Sequence, residues 1–200
     1  MSCVEIYKIN KKDKTLSFVG DANNAWLGCM HIWTSLEKKY LPSLEEYPWE
    51  KYTGRTERDY RTRTCLMTNR ESMQEIWNLW CDERLSWNEH ILMASTLDNF
   101  YIKYEDLLEV ADAYESVDFA NDNLKKQAKI MRKIFEDGKD GSVFGVWKNE
   151  NSVCSVYDFC DCDPIDEDVL LMPDKWESVM DVLRETKYNN WKIKDENEDS

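Results

Sequence analysis

Residues 23–41 constrain the fold of this chain more than any other stretch. Trp26, Cys29, Met30, Trp33, Leu36 and Tyr40 recur there at spacings of three and four, the period of one buried helical stripe. The side-chain amide of Asn23 or Asn24 is suited to cap the first turn, because a short amide oxygen accepts from its free N–H groups. Lys38 and Lys39 meet the partial negative charge of the last turn. Leu41-Pro42 then stops the helix, since proline disfavours helical geometry in the residue before it. Two tryptophans on one stripe make this the expected central helix of the core, with Trp33 fully buried. His31 falls on the opposite side of the wheel and is expected to face solvent.

The remaining patterns supply partners for that helix. Alternating apolar and polar residues at 3–9 and a short run at 15–19 predict an N-terminal hairpin, ended by Gly20-Asp21. Residues 42–69 are long, aromatic and irregular. Helical periodicity returns at 70–82, and Ser86 with Glu89 three residues on is a capping-box signature. A strand is expected at 100–104, and helices at 105–117 and 122–137, the second through Leu124, Ala128, Met131, Ile134 and Phe135 with Gly138 at its end. A second hairpin is expected from 143–147 and 153–159, then a last helix from Pro173 through Trp176, Val179 and Leu183. The order predicts an α+β domain over 1–193, with helices on one face of a small antiparallel sheet built from hairpins. Residues 194–200 read as an acidic disordered tail.

Charge is distributed unevenly along the chain. The net −14 divides into −1 over residues 1–50, +4 over 51–70, −8 over 71–157 and −9 over 158–200. Seven cysteines, an odd number, show no regular framework, the usage of a reducing compartment. Met1-Ser-Cys-Val-Glu begins no signal peptide, and no apolar run approaches the length of a membrane span. A cytoplasmic protein without membrane association is expected.

Two segments stand out as candidate sites. Lys51, Arg55, Arg58, Arg61, Arg63 and Arg70, interleaved with Tyr52 and Tyr60, have the composition of a phosphate grip. The surplus of carboxylates elsewhere favours an internal clamp instead, and direct nucleic-acid binding is not expected. Trp49, in a loop with Tyr47 and Tyr52 and near Arg58 and Arg61, has hot-spot composition. The second segment holds Asp158, Asp161, Asp163, Asp166, Glu167 and Asp168 beside Cys154, Cys160 and Cys162. Counted from Asp158, the positions where an EF-hand needs glycine and glutamate hold Asp163 and Val169. Three cysteines also leave zinc without a fourth ligand. Neither metal nor cofactor is expected. Asp161, Asp163, Asp166 and Asp168 read as a negatively charged docking surface. Cys29 and His31, two apart on a helix, do not face each other as a nucleophile pair would.

Ile6-Tyr7-Lys8-Ile9, Asn24-Ala25-Trp26 with Gly28 and Met30, Ile32-Trp33, Leu36-Glu37 and Lys39-Tyr40-Leu41-Pro42 resemble the opening of a family of short hypothetical proteins of phages, prophages and other mobile elements. Glu75-Ile76-Trp77 and Thr96-Leu97-Asp98-Asn99 are similar to its later landmarks. The resemblance implies a genomic setting and brings no catalytic motif. With the charge pattern, it leads to the expectation of a non-enzymatic protein that binds a host protein stoichiometrically. That partner would carry a basic or nucleic-acid-handling surface, and inhibition of a host defence system is the expected outcome. The alternatives are a toxin immunity protein, a small metal protein or enzyme built on residues 154–168, or a phage structural or assembly factor, which self-association would mark.

Overall fold

Alternation at the N-terminus produces strand β1, Cys3–Asn10, which pairs antiparallel with β2, Thr15–Asn23. The Asn10 side chain shapes the turn by accepting from the backbone N–H groups of Lys12 and Asp13, at 3.0 and 3.2 Å. Gly20-Asp21 does not end the hairpin. The pairing jumps from Ile6–Gly20 to Tyr7–Phe18, so Val19 is the extra residue of a bulge and the strand continues to Asn23. Asn23 therefore belongs to β2 and caps no helix, and Asn24 and Trp26 lie outside the described residues. The computed structural model describes residues 3–10, 12–13, 15–23, 28–41, 79, 82–96, 99–138, 142–149 and 177–185.

A π-type turn at 28–29 leads into helix α1, Met30–Tyr40. Leu41 is extended, as its place before Pro42 requires. Helix α2, Trp87–Ala94, starts at Ser86 with the expected capping box. Strand β3, Asn99–Ile102, runs into a 3-10 turn, Tyr104–Asp106, and then helix α3, Leu107–Ser116. Helix α4, Asp122–Asp137, is capped by the Asn121 side chain accepting from Leu124 N. Strand β4 is Val143–Asn149 and the two-residue β5 is Glu177–Ser178, followed by helix α5 at 179–185; residues 177–178 are thus strand, paired with β3, where the last helix was expected.

The strand order is β2-β1-β4-β3-β5. All pairs are antiparallel except β3–β5. β4 sits between β1 and β3, so its neighbours are strands far away in sequence. The expected partner at 153–159 lies outside the described residues. The fold is α+β. No helix among the described residues is long and apolar enough to cross a membrane.

Trp147 of β4 anchors the layer between sheet and helices. Its ring stacks on Phe100 at 5.4 Å and its indole N–H donates to Gln127 Oε1 of α4 at 3.0 Å, which satisfies the polar edge inside the core. A Cβ on Gly145 would lie 2.5 Å from the Trp147 ring, so glycine is what lets that ring lie along the strand. Leu124, Ala128, Met131 and Ile134 of α4 are buried against this layer, each large apolar chain contributing about 1.5–3 kcal/mol. Ile9, Tyr101, Phe144 and Val146 are buried outside that cluster. Tyr101 meets Phe144 edge-on at 6.1 Å.

The stripe on α1 is rotated from the expected one. Ile32 and Leu36 are the buried apolar residues, whereas Trp33 and Tyr40 are half-buried at its flank. The Trp33 indole N–H donates to Thr96 Oγ1 at 3.0 Å. A polar partner at the margin of the core therefore holds the larger ring, and the β-branched Ile32 fills the interior. His31 is also half-buried rather than solvent-facing, with Nε2 2.7 Å from Phe119 O.

Candidate interaction surface

From Tyr104 to Asn123 the chain has no lysine or arginine, while Glu105, Asp106, Glu109, Asp112, Glu115, Asp118 and Asp122 are acidic. The helical period then sorts these carboxylates. Leu107, Val110, Ala111 and Tyr114 turn α3 towards the core, and Glu109, Asp112 and Glu115 emerge on its exposed side, with Glu105 exposed in the turn before it. The last turn of α3 carries no basic residue, so Glu115 sits at the partial negative end of the helix, where a carboxylate is unfavourable.

Neighbouring elements neutralise part of this stripe. Arg132 of α4 donates to Asp112 Oδ1 at 2.6 Å and Glu115 Oε2 at 2.7 Å. The Trp87 indole N–H donates to Glu109 Oε1 at 2.6 Å. Asp106 is buried, and its Oδ1 accepts from Arg184 Nη2 of α5 at 2.6 Å. Burial raises the Asp106 pKa above the ordinary carboxylate range, with Arg184 opposing the shift. These contacts tie α3 to α2, α4 and α5 while Glu105 and Asp112 remain open to solvent.

A second polar cluster joins α1 to α2. The Glu89 carboxylate accepts from Lys39 Nζ at 2.8 Å, Tyr40 OH at 2.7 Å, and Ser86 N and Oγ at 2.8 Å each. Burial pushes its pKa up, but these four donors outweigh burial and lower it to about 2. The same pairing holds the Lys39 ammonium above its ordinary range. Lys39 Nζ also reaches Asp118 Oδ2 at 3.2 Å, but four donors converge on the buried Glu89 carboxylate, and this cluster is a structural clamp.

A cavity of about 10 Å³ bordered by Cys29, Ile32, Ser95, Tyr114, Gln127 and Trp147 has space for about one water. The Cys29 thiol donates to Thr96 O at 3.7 Å. His31 Nε2 must carry its proton, because its partner is a carbonyl oxygen. The two side chains are thus engaged in different directions, and His90 is buried in α2. Among the described residues no group of three His, Cys, Asp or Glu is placed to hold a metal.

No family model, curated protein or solved structure matches the chain.

The candidate residues Asp161, Asp163, Asp166, Asp168, Trp49, Arg58 and Arg61, and the cysteines at 154, 160 and 162, lie outside the described residues. The surface that the fold does assemble is the α3 stripe, which the sequence reading passed over. Its signal was present as carboxylates at 105, 109, 112 and 115 in a run free of basic residues.

Proposed function

We propose that this chain is an acidic phage or mobile-element protein that acts without catalysis, by stoichiometric binding to a basic surface of a host protein in the cytoplasm. Inhibition of a host defence system is the form that best suits this chemistry, because a carboxylate-lined protein can cover a positively charged nucleic-acid channel. The α3 stripe carries the reading. Its carboxylates are exposed and lack a basic residue on their own helix, and one occupies the turn where the helix dipole disfavours it. The net charge of −14 gives long-range attraction to such a partner and repulsion from nucleic acid itself.

The test is affinity capture from host lysate with the wild-type chain and the E109Q/D112N/E115Q variant side by side. A basic protein recovered in equimolar amount by the wild type, and depleted with the variant, supports the reading. Equal recovery by both chains, or recovery of no basic protein, sinks it.

Phe18 favours a second reading, a toxin immunity protein with a mainly apolar contact. It is 60% exposed on the edge strand β2 and meets Tyr7 edge-on at 5.6 Å. Under that reading Phe18→Ser, and not the α3 variant, abolishes capture.

A further inference from the structure

Helices α3 and α4 are joined by a short connection over 117–121 and pack as antiparallel neighbours. Their outer sides have opposite sign. On α3 that side presents Glu109, Asp112 and Glu115, with Glu105 in the 3-10 turn before it. On α4 it presents Lys125, Lys129 and Lys133, four residues apart and all exposed, in a run from 123 to 135 that has no acidic residue. Arg132, between the two helices, makes the ion pairs to Asp112 and Glu115. Those pairs also fix the register, placing Asp112 and Glu115 at the level of Arg132 along the hairpin.

From this arrangement we infer that the α3–α4 face is a self-complementary docking surface whose occupant is a second copy of this chain. A two-fold axis running along the groove between the helices lays α3 of each copy over α4 of the other. Such a rotation leaves the level along the axis unchanged. The partner's Asp112 then falls at the level of Lys129 and Lys133, already set by the Arg132 pairs within one chain. By the same register Glu109 falls at the level of Glu136, a like charge, and Lys125 lies past the end of α3, which limits the complementary contact to Asp112 and Glu115 against Lys129 and Lys133. Alignment of opposite charges fixes register and orientation more than it supplies affinity, so the dimer is a reversible one. The dimer engages the same α3 carboxylates as the host-partner reading, so a second copy and a host protein compete for this one face.

A charge-swap experiment tests it at about 0.15 M salt, where screening acts over about 8 Å and local pairs outlast the repulsion between two acidic bodies. Asp112→Lys leaves Glu115 to hold Arg132, and K129E/K133E leaves the ion pairs within the hairpin in place. Circular dichroism and the melting temperature establish that each variant is folded. Sedimentation equilibrium should show reversible dimers for the wild type and a dissociation constant at least about tenfold weaker for either variant alone. An equimolar mixture of the two should recover the wild-type dimer, since both contacts are again of opposite sign. A wild type that stays monomeric at millimolar concentration, or a mixture no more associated than its components, overturns the proposal. So does a dimer that Phe18→Ser abolishes and the charge variants leave unchanged, because β2 would then be the contact. If the lysine substitutions have no effect while Asp112→Lys weakens capture of a host protein, α3 alone is the contact and the occupant is foreign.

Discussion

Glu89→Gln tests the clamp between α1 and α2 most sharply. The wild-type carboxylate is 2% exposed and its four donors hold the pKa at about 2, from an ordinary 4.5. At 1.36 kcal/mol per unit, that shift corresponds to about 3 kcal/mol of stability at neutral pH. The folded-state pKa is depressed, so this stability is present above pH 4.5 and is lost as pH falls towards 2. Glutamine keeps the shape but offers one acceptor oxygen and no charge to Lys39, Tyr40 and Ser86. Urea unfolding at pH 7 should therefore show the variant less stable by about 2–3 kcal/mol. By linkage the difference should shrink by about 2 kcal/mol on going to pH 3. A difference below about 0.5 kcal/mol at pH 7, or one independent of pH, would show that Glu89 does not clamp the two helices.

Other residues respond in their own directions. Asp106 has a raised pKa, so its contribution is present below the unfolded value of 3.8 and lost as pH rises through the folded one. Asp106→Asn should accordingly gain stability relative to wild type between pH 4 and pH 7 in the same urea assay, opposite in slope to Glu89→Gln. Gly145→Ala should lower stability by about 1–3 kcal/mol, as overpacking against the Trp147 ring does. Ile32→Ala, at a site 2% exposed, should cost about 2–5 kcal/mol and exceed Trp33→Ala. The reverse order would restore the tryptophan-centred stripe.

Local signals in the sequence matched the structure at two elements in particular. The 3.6-residue period of 122–137 and the Ser86–Glu89 pair both act within a few residues, and the elements formed where they indicated. The hairpin β1–β2 was legible for the same reason, but its length was not. Gly20-Asp21 resembles a turn, yet a bulge at Val19 and the close approach of Ile130 to Gly20 keep the strand going to Asn23. Helix α1 begins at Met30, and its buried side is Ile32 and Leu36 rather than Trp33. The place of β4 between β1 and β3 depends on pairings more than a hundred and about fifty residues apart in sequence, which no local pattern encodes. The α3 stripe was written in the sequence, but recognising it required knowing which side of the helix faces solvent. The denser run of aspartates near residue 161 was more conspicuous.

The central claim, that α3 carries the contact with a basic partner, is tested most directly by association kinetics. With the captured host protein purified, the association rate constant is measured against ionic strength for the wild type and E109Q/D112N/E115Q. Electrostatic steering predicts a rate for the wild type that falls steeply with salt, and for the variant a slower rate with a flatter dependence. Identical rates and salt slopes for the two chains would contradict the claim.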